Sequence, residues 1–277
     1  MTDDRSEKPT PENLPQEIRQ RLDVAVDVAL SAGRITLEYF RREDLEVERK
    51  GDDSPVTVAD RRAEEHLRRR IAEKFPDDGI LGEEMAEKPG TSGYRWILDP
   101  IDGTKSFIHG VPLYGTLVAV ERDGTPVLGV ILIPALDEYV YAATGGGAWY
   151  VVDGQPPRPA RVSDCKTLDK GLFLTSEVIT FDEAGRRGAY ERIEAAARLT
   201  RTWGDCYGYL MLATGRAEVM VDPVVSLWDM AALMPVVLEA GGTFTDWKGA
   251  TTTQSGESIG TNGLVLDEVL ALVQEGA

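Results

Sequence analysis

The sequence predicts an α/β chain of the α+β layered-sandwich kind. Two subdomains stack in an α-β-α-β-α arrangement, the first with a largely antiparallel sheet. Three observations predict this. Helical apolar spacing marks residues 16–40 and 60–74, β-branched and aromatic runs broken by glycine turns follow to residue 152, and beyond a proline-rich turn at 155–159 helices and strands alternate.

Residues 1–14 are polar and carry Pro9 and Pro11, so they read as a flexible tail. A first subdomain is expected over 15–155 and a second over 156–277, with the boundary near 155–165. Along 16–40, Ile18, Leu22, Ala25, Val26, Ala29, Ile35, Leu37 and Phe40 recur at helical spacing. A polar loop, RKGDDSPVTVAD, comes next, and its Pro55 disfavours helix at Ser54. Asp60 is the expected N-cap of a second helix that runs to Lys74 with Ala63, Leu67 and Ile71 inward.

Strands are expected at 94–99, 114–121, 127–133, 138–143 and 148–152, joined in part by the turns Arg122-Asp123-Gly124 and Gly145-Gly146-Gly147, which gives an antiparallel meander. The glycine triplet precedes a strand, not a helix, so it reads as a hairpin turn and not as a dinucleotide fingerprint. In the second half, strands are expected at 172–175 and 217–221, and helices at 186–199, 207–213, 230–240 and 267–274.

Composition narrows the function. The chain has 277 residues, 42% of them hydrophobic, enough for a sizeable core. No apolar run approaches the ~20 residues that span a bilayer, so no membrane partner is expected. The first residues lack a basic stretch followed by an apolar one, so no signal peptide is expected and a cytoplasmic location is the default. Cys165 and Cys206 are too few for a disulfide framework or a cysteine-rich zinc site. With His66 and His109 the only histidines, a multi-histidine metal centre is excluded. Any metal must be held by oxygen, which favours hard cations such as Mg²⁺. The net charge of −17 argues against a nucleic-acid partner.

The chemistry-bearing segment is Trp96-Ile97-Leu98-Asp99-Pro100-Ile101-Asp102-Gly103-Thr104. On a regular strand Asp99 and Asp102 would face opposite sides. Pro100 cannot donate to a ladder and Gly103 permits a tight turn, so the two carboxylates can fold toward one point. That suits two metal ions ~4 Å apart with a bridging carboxylate, and amides near Gly103 and Thr104 could face a phosphate. The alternative is a polar turn in which aspartate caps the next segment. Gly82-Glu83-Glu84 could equally be a solvated surface, Asp229 in Trp228-Asp229 an ordinary N-cap of the apolar segment Met230-Ala231-Ala232-Leu233, and Asp52 a plain loop residue.

Taken together, Gly82-Glu83-Glu84, Asp99-Pro100-Ile101-Asp102-Gly103-Thr104 and Trp228-Asp229 resemble the inositol monophosphatase-like superfamily of magnesium-dependent, lithium-sensitive phosphatases, over residues 16–275. The resemblance implies a phosphoric monoester hydrolase. Glu83, Asp99 and the Ile101 carbonyl would bind one Mg²⁺, and Asp99, Asp102 and Asp229 a second, with a third, weaker ion near Glu83. Thr104, paired with Asp52, would orient and deprotonate the attacking water. Gly103 and Thr104 would meet the phosphate. Asp52 is chosen over Asp53 because here Ser54-Pro55-Val56-Thr57 stands where some members carry D-L-V-T. A homodimer is likewise implied.

Within the superfamily, Gly204-Asp205-Cys206-Tyr207 and Lys105-Ser106-Phe107-Ile108-His109-Gly110-Val111-Pro112 resemble the histidinol-phosphatase branch of histidine biosynthesis. Histidinol carries an amino group and an imidazole, both potential cations. A partly buried carboxylate at Asp205 suits such a ligand, although Asp205 could also cap the following helix. Asp222 stands where relatives keep an acidic substrate contact. His109 is read as a turn residue, and Cys206 as a small buried one. The rivals are an inositol-1-phosphate or broad sugar-phosphate phosphatase, and a non-catalytic metal- or phosphate-binding regulator. With no basic cluster for a second phosphate, bisphosphate substrates rank last.

Overall fold

The computed structural model describes residues 13–51 and 54–274. The first twelve residues of the expected tail lie outside them, and so does Asp52. Leu14, assigned to the tail from sequence, is a core residue, 6% exposed.

The first half opens with α1 (Gln16–Leu37), a small antiparallel pair of β1 (Val47–Arg49) and β2 (Pro55–Thr57), and α2 (Val58–Lys74). Helix α1 buries Ile18, Leu22, Ala25, Val28, Ala29 and Ala32, one face at helical spacing. It stops short of residue 40, and Phe40 packs instead on Phe107 and Tyr114. Helix α2 starts earlier than expected. Thr57 is its N-cap, and Asp60 sits three residues in, closing a capping box with the Thr57 hydroxyl and amide.

A seven-stranded sheet follows: β3 (Gly79–Gly82), β4 (Tyr94–Asp102), β5 (Gly115–Arg122), β6 (Thr125–Ile133), β7 (Glu138–Ala143), β8 (Gly147–Val152) and β9 (Arg158–Pro159) in sequential order, with the short α3 (Thr104–Ile108) after β4. Only the β3–β4 pairing is parallel; the rest form the expected meander.

The second half holds β10 (Leu172–Leu174), α4 (Ile179–Glu183), α5 (Arg187–Ala196), β11 (Leu199–Arg201), α6 (Cys206–Ala213), β12 (Val219–Asp222), α7 (Leu227–Met230), α8 (Leu233–Glu239), β13 (Thr243–Thr245), β14 (Ser258–Thr261) and α9 (Leu266–Gln274). Its five strands lie in the order β11-β10-β12-β14-β13, β10 parallel to its neighbours and the remainder antiparallel. The single helix expected at 230–240 is two, α7 and α8, and α7 starts ahead of it at a Ser226 cap.

The layers are α1/α2, the seven-stranded sheet, α6/α8, the five-stranded sheet, and α5/α9. Residues of α6 and α8 share one core with Ile97, Leu117 and Ile131 of the first sheet and with Leu174, Met220 and Phe244 of the second. On the outer faces, α1 and α2 cover the first sheet around Trp96 and Leu98, and α5 and α9 cover the second around Phe173 and Val221. The central helices therefore bind the two sheets into one body, and the loops at one end of both sheets open onto the same cleft.

One buried ion pair fixes α1 to the start of the first sheet. Arg21 donates to both carboxylate oxygens of Asp78 at 2.9 Å, and its guanidinium lies 3.7 Å from the Tyr94 ring centre. Ser92 and the Trp96 indole complete the Asp78 shell. Arg21 is 8% exposed and Asp78 1%. Removing one partner leaves the other charge stranded, so Asp78→Ala is expected to cost about 3–5 kcal/mol in urea unfolding; a loss under ~1 kcal/mol would mean that water reaches Arg21.

Candidate active site

The site begins with an irregularity in β4. Asp99 faces Leu117 of β5 while Asp102 faces Gly115, so three steps along β4 match two along β5. This extra residue is a bulge, and it reverses the alternation that would have sent the two carboxylates to opposite faces. The Thr116 hydroxyl satisfies the Pro100 carbonyl at 2.9 Å, and the Ile101 amide donates to Asp99 Oδ1 at 3.0 Å. The strand thus reaches Asp102, three residues past its expected end.

Other elements bring further carboxylates to the same point. The parallel β3–β4 register sets Gly82 against Leu98, which places Glu83 beside Asp99, its amide on the Leu98 carbonyl. Asp229 occupies the third position of α7, where the Ser226 amide ties down its Oδ2 at 2.7 Å. It is the capping-box partner and not the N-cap. Helix α6 presents the Cys206 amide to Asp102 Oδ2. That approach requires Gly115, because a Cβ there would sit 2.3 Å from Cys206 Sγ. Cys206 itself is buried.

Asp99, Asp102 and Asp229 each offer an oxygen within 4.8 Å of the others. Glu83 stands at the edge of this group, close enough to act on Asp99 and Asp229, and its Oε1 accepts from Lys50 Nζ at 2.6 Å. The mutual repulsion shows in the acidities. Burial and then Glu83, Asp102 and Asp229 push the Asp99 carboxyl well up; burial and then Asp205 and Asp229 do the same to Asp102. Burial, aided by Glu83, raises Asp229 to about 6 against the pull of the Ser226 amide. An all-oxygen set with this excess of negative charge fits a hard divalent cation. Among the described residues the group includes no His or Cys.

Thr104 donates its hydroxyl to the Ile101 carbonyl at 3.0 Å and lies 3.4 Å from Asp60 Oδ1. The Ile101 oxygen is therefore turned toward this corner of the site. Gly103 has φ +80°, and a Cβ on it would come within 2.7 Å of Asp205 Oδ2, so both conformation and space demand glycine.

The carboxylates sit at one end of a cleft of about 440 Å³, lined also by Gly103, Thr104, Lys105, Glu177, Asp205 and Asp222. Asp205 has φ +50° and occupies the N-cap position of α6, yet its side chain makes no capping bond. Its amide donates to Ser176 Oγ at 2.9 Å. Burial, then Asp222 and Glu177, raise its carboxyl to about 7. Asp222 is 3% exposed, and its oxygens accept from the Thr175 and Tyr209 hydroxyls and the Ser176 amide. It lies behind Asp205 and anchors the loop that holds it.

Several supporting residues escaped the sequence reading. Lys50 Nζ bridges Glu83 and Glu84, each at 2.6 Å, and stays protonated despite burial because of that pair. Glu64, fully buried on α2, accepts the Glu84 amide at 2.7 Å and the Met85 amide at 3.1 Å. A Cβ on Gly82 would lie 2.2 Å from Glu64, which explains the glycine before the glutamate pair. The signal was available: Asp60 and Glu64 fall in line with Leu67 and Ile71 on the inner face of α2.

Residues 17–276 match the inositol monophosphatase family. A histidinol-phosphatase from Chlorobaculum parvum is 44% identical over 256 residues, covering 92% of this chain and 97% of that protein. A second histidinol-phosphatase, from Mycobacterium tuberculosis, is 38% identical over 92% of this chain and 98% of its own length. Among solved structures, an IMPase from Thermotoga maritima superposes with a TM-score of 0.82 at 33% identity, covering 92% of this chain and 97% of that one.

Two outcomes are expected of the metal-free protein. Carboxyls such as Asp229 bind protons more tightly folded than unfolded, so between about pH 4 and 7 the folded state holds more protons. Their contribution is then favourable at low pH and is lost as pH rises through the folded value. The melting temperature without metal should fall from pH 5 to 7.5, saturating Mg²⁺ should remove the fall, and Asp229→Asn should flatten the metal-free slope. A slope unchanged in that variant would exclude Asp229 as a source. Separately, Gly103→Ala should cost ~1–2 kcal/mol in urea unfolding from its left-handed backbone alone.

Proposed function

From the chain's membership of the inositol monophosphatase family, magnesium-dependent phosphoric monoester hydrolases, we propose that it hydrolyses L-histidinol phosphate to L-histidinol and phosphate. The observation that carries the substrate is the charge of the far end of the cleft. Beyond the Asp99–Asp102–Asp229 group, Glu177 pairs with the Lys105 ammonium and Asp205 lies close to both, with Asp222 buried behind it. A neutral polyol offers these carboxylates only hydroxyl hydrogen bonds, whereas an amino group and an imidazole also bring the opposite charge.

In this reading Glu83, Asp99, the Ile101 carbonyl, Asp102 and Asp229 hold two Mg²⁺ ions, with a weaker third position near Glu83. Bound there, Mg²⁺ supplies positive charge for the phosphoryl oxygens and lowers the pKa of water. The residues do the remainder. Gly103 and Thr104 hold the phosphate at the start of α3. Thr104, its hydroxyl fixed on the Ile101 carbonyl, aligns the attacking water, and Asp52 takes the proton. The Cys206 amide holds Asp102 in place without using its second oxygen. As the water oxygen bonds to phosphorus, the P–O bond to the alcohol breaks and the departing oxygen takes a proton from solvent. Asp205 receives the cationic part of the leaving alcohol, and Asp222 positions Asp205 through Ser176. The protein is further proposed to work as a cytoplasmic homodimer.

A panel of small monoesters with Mg²⁺ tests this directly. L-histidinol phosphate should exceed inositol 1-phosphate and glycerol 2-phosphate in kcat/KM. Asp205→Asn should cut kcat/KM for histidinol phosphate about 10–100-fold more than for the neutral esters, the worth of a charge-assisted hydrogen bond. Equal losses would move recognition elsewhere, preference for inositol 1-phosphate would favour the polyol reading, and no phosphate release at all would favour a non-catalytic binding role.

A further inference from the structure

Lys105 and Glu177 are 72 residues apart in sequence and meet across the mouth of the cleft, Lys105 Nζ lying 2.7 Å from each Glu177 oxygen. Lys105 comes from the first turn of α3, on the side of the first sheet, and Glu177 from the loop after β10, in the second. The loop is rigid where it matters: the Ser176 amide is bound to Asp222, and the Thr180 hydroxyl to the Glu177 carbonyl. Both side chains act on Asp205, Glu177 raising its proton affinity and Lys105 lowering it. The pair itself is open to water, with side-chain exposures of 62% and 36%. Such pairs add little to stability and are readily exchanged.

We propose, on the basis of the substrate reading above, that Lys105 is an internal stand-in for the substrate's ammonium group. Its ion pair with Glu177 spans the mouth of the cleft in the free protein. An amino-alcohol phosphate displaces it, so that Glu177 joins Asp205 as a specificity-determining residue. The charge pattern requires some cation there. Glu177, Asp205 and Asp222 converge on one region, and among the described lining residues Lys105 is the one positive group. A ligand ammonium that entered without displacing Lys105 would meet a like charge over a carboxylate already paired. One that displaces it inherits a binding place shaped for a primary ammonium. The exchange also selects against neutral leaving groups, which cannot replace the lysine.

Calorimetry with L-histidinol in the presence of Mg²⁺ tests the exchange, using wild type, Lys105→Met, Glu177→Gln and the double variant. Glu177→Gln should weaken L-histidinol about tenfold, and should lower kcat/KM for its phosphate by a larger factor than for glycerol 2-phosphate. Lys105→Met removes the competitor and should tighten L-histidinol about 2–5-fold, the scale of an exposed pair. In the Glu177→Gln background the lysine substitution should have a smaller effect than in wild type, because only its direct action on Asp205 remains. Lys105→Met binding that is unchanged or weaker, or an equal effect in both backgrounds, overturns the exchange while the substrate reading stands. A wild type that hydrolyses glycerol 2-phosphate but does not bind L-histidinol overturns both.

Discussion

Three aspartates and a glutamate of like charge are gathered in one largely buried corner, and the rest of the structure is arranged around that repulsion. Each carboxylate is restrained by a backbone group on one oxygen or by its place in the sheet. The Ile101 amide holds Asp99, the Cys206 amide holds Asp102, and the Ser226 amide holds Asp229. Backbone donors steady an anion without neutralising it, which leaves the charge available to a cation from solution. Had lysine or arginine supplied the restraint, the cavity would have been satisfied by its own chain. Lys50, bound to Glu83 at the rim, is where the structure comes nearest to that outcome.

Holding such a cluster demands backbone features that are costly in isolation. The bulge between Asp99 and Asp102 interrupts the β4–β5 pairing, yet Thr116 satisfies the carbonyl that it frees. Asp205 sits at φ +50°, a conformation that disfavours residues with a Cβ, at a cost of about 1–3 kcal/mol. It persists because both sides are tied: its own amide to Ser176 and the next to Asp102, while Gly204 lies so close to Ser176 that a Cβ would approach within 2.2 Å. The strain is thus local to the segment that links the acidic cluster to the distal cleft.

Much of this was legible in the chain. The meander, the α-β-α-β-α order and the gathering of Asp99 with Asp102 follow from alternating apolar runs and from a proline and a glycine that break a strand beside two acids. Other features were not legible, some because local cues allow more than one cap and others because they depend on packing from far along the chain. Helix α2 is capped by Thr57 instead of Asp60 because the Asp60 side chain turns back to the Thr57 amide, a choice that local propensity leaves open. The split of α7 from α8 follows the Ser226 cap and the tertiary position of Asp229, whereas the apolar run 230–240 reads as one helix. Strands β13 and β14 are short, and they are held by different cores, Phe244 by the one around α6 and α8 and Ile259 by the one under α5 and α9.

The two ends of the cleft come from different sheets, and that division has a consequence for how the site can change. Residues proposed to hold the metal belong mostly to β3, β4 and α7, while Ser176, Glu177, Asp205 and Asp222 hang on β10, α6 and β12 of the second sheet. Helices α6 and α8 are common to both cores, so the distance between the ends is fixed by packing that neither end supplies alone. A substitution in the loop after β10 can therefore alter what the distal cleft accepts without moving Asp99 or Asp102. Asp205 is the exception. It lies one residue from the Cys206 amide on Asp102 and against Gly103, so the side chain proposed to read the leaving group hangs from backbone that steadies the acidic cluster. Recognition and chemistry are joined at that residue, and there a change of specificity carries the greatest risk to turnover.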